Sequence, residues 1–95
     1  MHVISYRVLR EFGEAHTAAK LPLRAWYKTA QKSGWKNLAE VRQTYPHADP
    51  VGGHTVFNIG GNKYRLVVSI NYRAQVIYVK GIFTHAEYDE ENWKT

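Results

Sequence analysis

The stretch FNIGGNKYRLVVSIN, residues 57–71, is typical of two β-strands joined by a tight turn. Gly60, Gly61 and Asn62 are the residue types that adopt hairpin-turn conformations, and the residues on both sides are mostly β-branched or aromatic. A third run of strand-forming residues follows after a short polar turn. The sequence therefore predicts three consecutive antiparallel strands, at residues 54–60, 63–71 and 75–83.

The alternation of side chains along these strands assigns them to two faces, because residues two apart in a strand point to the same side. The side expected to meet the helices is apolar and carries Phe57, Ile59, Tyr64, Leu66, Val68, Ile70, Ile77 and Val79. The opposite, open side is expected to carry His54, Asn58, Lys63, Arg65, Ser69, Tyr78 and Lys80. A polar outer face is ordinary for an antiparallel sheet. One with several cations and no acid favours a polyanionic partner.

The N-terminal part predicts a short strand at 2–5 followed by a helix. Ser5 is expected to cap this helix, which continues to about His16. Its apolar side is expected to consist of Val8, Leu9, Phe12 and Ala15, while Gly13 weakens it.

A second helix is predicted in KLPLRAWYKTAQKSGW, residues 20–35, with Pro22 in its first turn and Gly34 as its end. Its apolar positions follow helical spacing at Leu23, Trp26, Tyr27 and Ala30. Its other face carries a cationic stripe of Arg24, Lys28 and Lys32.

Local capping signals predict two further helical segments. Asn37, with Glu40 three residues later, is expected to cap a short third helix that Pro46 ends. Residues 46–53 are predicted to be a loop because they are rich in Pro, Gly and Asp. Thr84, with Glu87 as its capping partner, is expected to start a last turn or short helix. Together these elements predict an α+β fold.

Charge is the most informative bulk property of this 95-residue chain, whose length fits one domain. Four of its eight acids, Glu87, Asp89, Glu90 and Glu91, lie in the last nine residues. Residues 1–86 therefore carry twelve Lys and Arg against four acids, a net charge of +8. A segment with this much positive charge is expected to bind nucleic acid first and anionic lipid second. The plainer alternative is that the surface charge only keeps the protein soluble.

Other classes of function are disfavoured by composition. The chain has no cysteine, which excludes disulfides, thiolate metal sites and a cysteine nucleophile. Apart from His85, the histidines are scattered through the sequence without the spacing of metal ligands, at His2, His16, His47 and His54. No metal site or cofactor is therefore expected. GGNK at 60–63 lacks the strand–loop–helix setting of a phosphate-binding loop. No apolar run is long enough for a signal peptide or a membrane helix, so a cytoplasmic protein is expected.

Three stretches of the chain together resemble the HigB family of bacterial toxin–antitoxin modules, part of the RelE-like superfamily. They are MHVISYRVLREF, PLRAWYKTAQKSGWKNLAEVRQTYP and VFNIGGNKYRLVVSINYRAQVIYVKGIFTHAEYD. The combination of FNIGGNKYRLVV with THAEYD is the most specific part. The resemblance covers nearly the whole chain, although the acidic ending after Asp89 departs from it.

This resemblance implies a RelE-like fold, with two or three N-terminal helices on one face of a small, mainly antiparallel sheet and a short C-terminal helix or turn. It implies cleavage of mRNA, commonly in the A site of the 70S ribosome, in contact with rRNA. It also implies a HigA-type helix-turn-helix antitoxin as partner.

Metal-independent RNA cleavage, in which a 2′-hydroxyl attacks the adjacent phosphate, requires a proton acceptor, a proton donor and cations around the phosphate. Arg65 is the expected phosphate-stabilising residue, because its planar fork matches two phosphate oxygens. His85 is expected to move the proton, and Tyr88 to stack on a base or donate a proton. The expected RNA-binding and phosphate-binding residues are Lys63, Lys80, Arg73, Asn62 and Asn58, with Arg73 directed to rRNA.

Plainer readings compete with these roles. An outward arginine on a strand is most often solvated, Lys80 is then an ordinary strand cation, and His85 and Tyr88 simply belong to a C-terminal turn. Two other functions also remain open: a ParE-like toxin that inhibits DNA gyrase without cleaving RNA, and a basic RNA-binding module without catalysis.

Overall fold

The computed structural model describes residues 1–90 of the chain, and the acid Glu91 of the C-terminal cluster lies outside them. The elements, in chain order, are β1 (His2–Ile4), α1 (Tyr6–Ala15), α2 (Thr17–Lys32), α3 (Leu38–Thr44), β2 (Asp49–Val51), β3 (His54–Ile59), β4 (Tyr64–Asn71), β5 (Val76–Thr84) and α4 (His85–Asp89).

The five strands form one mixed sheet in the order β1-β5-β4-β3-β2. Strands β2 to β5 pair antiparallel, and β1 adds at the edge parallel to β5. The ammonium of Met1 donates to the carbonyls of Ala30, Gln31 and Ser33 at 2.7–3.1 Å, which joins the start of β1 to the end of α2. The arrangement confirms the predicted α+β fold with a mainly antiparallel sheet.

The core lies between the helices and the predicted apolar face of the sheet. Phe57 and Leu66 are completely buried, and the ring of Trp26 lies 5.5 Å from that of Phe57. Tyr45 packs edge-on against Phe57 at 5.3 Å. Burial raises the pKa of the Tyr45 hydroxyl, although its hydrogen bond with Thr29 acts in the other direction. The prediction of this face is confirmed.

The start of α1 differs from the prediction. Ser5 has a left-handed backbone, φ 73°, and its hydroxyl makes no capping hydrogen bond. An N-cap side chain needs an extended backbone to reach the first amides of a helix. The tight turn from β1 into α1 does not allow this conformation, so the prediction that Ser5 caps α1 is wrong. On the predicted apolar side of α1, Leu9 is buried and Phe12 packs partly buried against the core, but Val8 and Ala15 are exposed, and Gly13 is buried in their place.

Gly13 has a packing role that helix propensity did not reveal. A Cβ atom added there would lie 3.3 Å from the Cα of Lys20, so α1 and α2 approach each other backbone to backbone. His16 joins the two helices directly. Gly13 therefore weakens α1 as an isolated helix but permits the close helical hairpin.

Helix α2 begins earlier and ends earlier than predicted. Pro22 is its sixth residue, not part of its first turn, and removes the hydrogen bond to the carbonyl of Ala18. The helix ends at Lys32, where Ser33 takes an extended backbone and its hydroxyl donates to the carbonyl of Thr29 at 2.7 Å. Both predicted positions, for Pro22 and for Gly34 as the end of the helix, are wrong.

Residues 46–53 are not entirely a loop, because they contain the edge strand β2. This strand pairs with β3 through a turn at Gly52 and Gly53, both of which have positive φ. Asp and Pro are poor strand formers, but Pro is tolerated on an edge strand.

The two predicted caps built from neighbouring residues are confirmed. The side-chain oxygen of Asn37 accepts from the backbone amide of Glu40 at 2.9 Å. Thr84 and Glu87 form a complete capping box, in which each side chain accepts from the backbone amide of the other, at 3.2 and 2.8 Å.

The core assignment makes a direct prediction for leucine truncation. Leu66→Ala removes a fully buried side chain and leaves a cavity, so the free energy of unfolding should fall by about 2–5 kcal/mol. Leu21→Ala is the matched control, because Leu21 is 73% exposed, and its effect should stay within about 0.5 kcal/mol. Urea unfolding followed by circular dichroism measures both, and equal losses would contradict the assignment.

Candidate nucleic-acid interface

Strand pairing brings the predicted functional residues to one end of the open face of the sheet. On β4, Arg65 lies opposite Asn58 of β3 and opposite Phe83 of β5. The next pair is Tyr64 with Thr84, where β5 ends and α4 begins. The register of the sheet therefore places α4 beside Arg65.

The guanidinium of Arg65 is held by the turn that precedes its own strand and by the first residue of that strand. Its Nη1 donates to the carbonyl oxygens of Asn62 at 3.0 Å and Tyr64 at 3.2 Å. Its Cζ lies 6.0 Å from the centre of the Tyr88 ring. Within residues 1–90, no carboxylate lies within 4.0 Å of this cation. A half-buried, oriented arginine of this kind fits an external anion.

His85 faces an acid on its own helix. Its Nδ1 lies 3.0 Å from Oδ2 of Asp89, and both side chains are more than half exposed. Its backbone amide donates to the carbonyl of Lys63 at 3.1 Å, which joins α4 to the turn before β4. An acceptor at Nδ1 orients the imidazole and leaves Nε2 as the nitrogen that Asp89 does not contact. Sequence reasoning counted Asp89 only in the acidic tail, although its i, i+4 spacing from His85 was the available signal.

The structure places Lys63 in the turn, not on the strand. Gly60 and Gly61 both have positive φ, and the backbone amide of Lys63 donates a long hydrogen bond to the carbonyl of Gly60, at 3.5 Å. Residues 60–63 thus form a longer turn than the two-residue turn that was expected. The prediction that Lys63 shares the strand face with Arg65 is wrong, but Lys63 stays at the site through its contact with His85.

Two asparagines lie at the same end of the sheet. The side-chain amide of Asn58 donates to the side-chain oxygen of Asn62 at 3.5 Å, and Asn62 also holds Arg65 through its carbonyl. Both asparagines therefore belong to the cluster around the arginine.

Lys80 is the extra residue of a β-bulge. Val67 pairs with Gly81 while the next residue, Val68, pairs with Val79, so Lys80 has no partner in the register. Its ammonium lies 6.0 Å from the ring of Tyr78, an exposed residue of the open face. Lys80 is thus on the expected face.

Arg73 lies away from this cluster. It belongs to the turn between β4 and β5, at the far end of the hairpin. Strand β4 continues for six residues beyond Arg65, about 20 Å, before this turn begins. Its expected contact with rRNA remains a prediction.

Phe83 is a residue of the site that sequence reasoning missed. A Cβ atom added at Gly81 would lie 2.7 Å from Cζ of Phe83, so the ring covers this glycine. Val56 and Val67, on the same face, are 3% and 2% exposed. The open face is therefore part apolar, with an aromatic ring beside Arg65. The glycine two residues before a phenylalanine was the available sequence signal.

Residues 1–90 contain neither a metal-binding cluster of side chains nor a helix that could span a membrane. No group of three or more His, Asp or Glu side chains is close enough to hold a metal ion. No helix in this part of the chain is both long and apolar enough to cross a membrane.

An oriented arginine, aromatic rings and a lysine on one face of a small sheet, with a second lysine in the adjoining turn, are features typical of an α+β domain that binds nucleic acid. The chain belongs to the HigB toxin family, the RelE-like toxic component of a toxin–antitoxin system, whose model matches residues 19–91. The family resemblance is thereby confirmed, and it gives the chain an antitoxin as partner.

Curated relatives agree with this assignment. The chain is 32% identical over 92 residues to the mRNA interferase toxin HigB of Escherichia coli K12, with 94% of this chain and 88% of the relative covered. The mRNA interferase HigB of Shigella flexneri gives the same values. The mRNA interferase HigB of Escherichia coli O6:H1 is 29% identical over 93 residues, covering 95% and 90%.

The capping box makes the position of α4 testable. Thr84→Ala removes the oxygen that accepts from Glu87, which should cost about 1 kcal/mol in the stability of this five-residue helix. Amide hydrogen exchange in residues 86–90 should become faster, while exchange in β4 stays unchanged. Thr84→Ser retains the oxygen and should behave like the wild type. Unchanged protection of α4 in Thr84→Ala would show that the cap does not hold this helix.

Proposed function

We propose that this toxin is an endoribonuclease that cuts mRNA in the ribosomal A site without a metal ion, and that residues 1–95 act as one domain in the cytoplasm. A HigA-type helix-turn-helix antitoxin would neutralise it. The observation that carries the proposal is Arg65, held by two backbone carbonyls with no carboxylate beside it among residues 1–90. The relatives named as mRNA interferases support RNA as the substrate.

The reaction proposed is an internal transfer at phosphorus. The 2′-oxygen of one nucleotide attacks the adjacent phosphate, the bond from phosphorus to the 5′-oxygen breaks, and a 2′,3′-cyclic phosphate and a 5′-hydroxyl end result. A proton leaves the 2′-hydroxyl and another reaches the 5′-oxygen. His85 moves the proton at one of these oxygens, and Tyr88 either serves the other or stacks on a base.

Arg65 supplies the electrostatic part of catalysis. Negative charge grows on the non-bridging phosphate oxygens as the 2′-oxygen attacks, and a cation already in place stabilises it without reorganisation. The bonds to Asn62 and Tyr64 and the Tyr88 ring hold the guanidinium in this orientation. Lys63 and Lys80 would bind flanking phosphates, and Asn58 and Asn62 would line the strand's path.

Asp89 is proposed as a positioning residue. Its contact with Nδ1 of His85 orients the imidazole so that Nε2 faces the substrate. Both side chains are largely exposed, so the pair adds little to stability.

The same pair separates the proposal from its rivals. A gyrase inhibitor or a passive RNA-binding module has no step that needs an oriented imidazole next to a cationic face. Primer extension on cellular transcripts, with and without induction, distinguishes the three functions. Cuts within translated regions, in the reading frame, support the endoribonuclease alone.

Removing either central residue should abolish toxicity without unfolding the protein. Arg65→Ala and His85→Ala should slow single-turnover cleavage on programmed ribosomes; for Arg65 the loss is about 3–4 kcal/mol, or ~10²–10³ in rate. Neither side chain belongs to the buried core, so circular dichroism should be unchanged. Lys63→Ala should mainly weaken binding, because a flanking phosphate is held equally in the ground and transition states.

Arg73→Ala is the matched control for the loss of an arginine, because Arg73 lies at the far end of the hairpin. At saturating ribosome concentration it should cleave at the wild-type rate. A folded Arg65→Ala that also cleaves at the wild-type rate would show that the active face is assigned wrongly.

Free RNA should be a poor substrate. In solution a 2′-hydroxyl is rarely in line with its leaving oxygen, whereas a bound, oriented mRNA can gain up to ~7–11 kcal/mol from positioning. Cleavage of a bare oligonucleotide should therefore be slower by orders of magnitude than cleavage of the same sequence on the ribosome. Efficient cutting of the bare oligonucleotide by the pure protein would disprove ribosome dependence.

A further inference from the structure

Phe83 lies on the open face of the sheet although its side chain is apolar. Regular alternation from Val79 would direct it towards the helices, but the bulge at Lys80 shifts the register by one residue. Ile82 therefore takes the core position, whereas Phe83 points outward and is only half-buried. Bulges near active sites often re-aim a side chain in this way. The fold thus turns an aromatic ring out of the core beside Arg65.

Two neighbouring rows of side chains cross this part of the open face, from β3 over β4 to β5. The row nearer to α4 carries the cation and consists of Asn58, Arg65 and Phe83. The next row is apolar and consists of Val56, Val67 and Gly81. Along each strand the rows are two residues, or about 7 Å, apart. A polar row with a cation therefore borders an apolar row.

The ring of Phe83 connects the two rows. A Cβ atom added at Gly81 would lie 2.7 Å from Cζ and 2.8 Å from Cε2 of the ring, so the far end of the ring occupies the space over this glycine. The ring therefore leans along β5 and does not stand upright on the sheet. Its backbone remains directly opposite Arg65, and such opposed residues have Cα atoms about 4.5–5.5 Å apart.

We propose that Phe83 stacks on the base of a nucleotide next to the scissile phosphate and so positions that phosphate at Arg65. The phosphate would lie on the polar row, and the base would lie on the ring, over the apolar row. The inference rests on the proposed endoribonuclease function and adds a residue that binds its substrate.

The chemistry of the two rows matches the two ends of a nucleotide. Arg65 offers charge to a phosphate, whereas the side chains of Val56, Val67 and Phe83 offer apolar surface without hydrogen-bonding groups. Because every base has a π-face, stacking here orients a nucleotide without selecting its identity. A base held in place restrains the attached ribose, and this restraint helps to bring its 2′-oxygen into line with the leaving oxygen.

The plainer alternative is that the ring only covers Gly81 and Val67. Phe83→Leu separates the two roles, because leucine keeps an apolar side chain at this position but has no π-face. If the ring is only a cover, Phe83→Leu should bind RNA like the wild type. If the ring stacks on a base, the folded variant should lose a contact that depends on that base. Circular dichroism confirms that the variant is folded.

Binding to ribosomes programmed with a non-cleavable mRNA, in which the attacking 2′-hydroxyl is replaced by hydrogen, tests the contact. Removal of the base from one of the two nucleotides that flank the scissile phosphate should weaken binding of the wild type about 5- to 100-fold. Phe83→Leu should lose the same factor on the intact mRNA and nothing further on the abasic mRNA, because both changes remove one contact. Phe83→Tyr retains a ring and should regain most of the lost affinity.

Two further variants control for the position of the ring. Gly81→Ala keeps the phenyl ring but displaces its far end, so it should weaken binding of the intact mRNA more than that of the abasic mRNA. Tyr78→Leu is the matched control, because Tyr78 is an exposed aromatic residue of the same strand on the other side of the bulge. It should remain as sensitive to the missing base as the wild type.

The outcomes that would overturn the inference are distinct from failure of the proposed function. A folded Phe83→Leu that still loses affinity for the abasic mRNA as the wild type does would show that no base lies on this ring. If Tyr88→Leu removes the sensitivity instead, the base lies on Tyr88 and the inference is wrong. Should the wild type fail to cut a cleavable mRNA while base-dependent binding still requires Phe83, the cleavage mechanism fails and this inference stands.

Discussion

The pairing of β4 with β5 is the interaction on which the rest of the structure depends. It sets Arg65 opposite Phe83 and Tyr64 opposite Thr84, so β5 ends beside the cationic side chain. Thr84 then caps α4, and the cap fixes where Tyr88 stands relative to Arg65. Residues that are far apart in sequence thus meet because of one strand register, which is determined by the apolar face that the sheet must bury.

The sheet also divides the molecule into two surfaces with different chemistry. Trp26 and Phe57 fill the space between the helices and the sheet, and close-packed cores of this kind deform little. The open face of the sheet is therefore held in a fixed position relative to the helices. Exposed cations lie on both surfaces, so each attracts groups of negative charge.

The sequence predicted well those features that depend on near neighbours. The alternation in β3 and β4 defined the buried face, and the caps at Asn37 and Thr84 formed because their partners lie three residues away. Long-range packing decided the features that were missed. The edge strand β2 forms although its Asp and Pro are residue types that disfavour strands. Helix α2 includes Pro22 in its interior because α1 packs along its first turns.

The candidate site was likewise predicted only where it depends on near neighbours in the sequence. Arg65 follows from alternation in its own strand, and Tyr88 from the helical turn after Thr84. The turn at residues 60–63 depends on two glycines with positive φ, a conformation that composition permits but does not dictate, and so Lys63 was misplaced. Phe83 was missed because simple alternation from Ile77 and Val79 puts it in the core.

The bulge at Lys80 reverses that alternation. Before it, odd-numbered residues of β5 face the helices; after it, Ile82 faces the helices, while Gly81 and Phe83 face outward. The face that a residue of β5 occupies therefore depends on its position relative to the bulge, and not on the chemistry of its side chain. If β5 alternated regularly with Lys80 in place and no bulge, the aromatic ring would turn inward and the isoleucine outward, whereas loss of the one extra residue would keep both faces. In this toxin the number of residues in a strand, as much as their chemistry, determines which side chains the open face of the sheet presents.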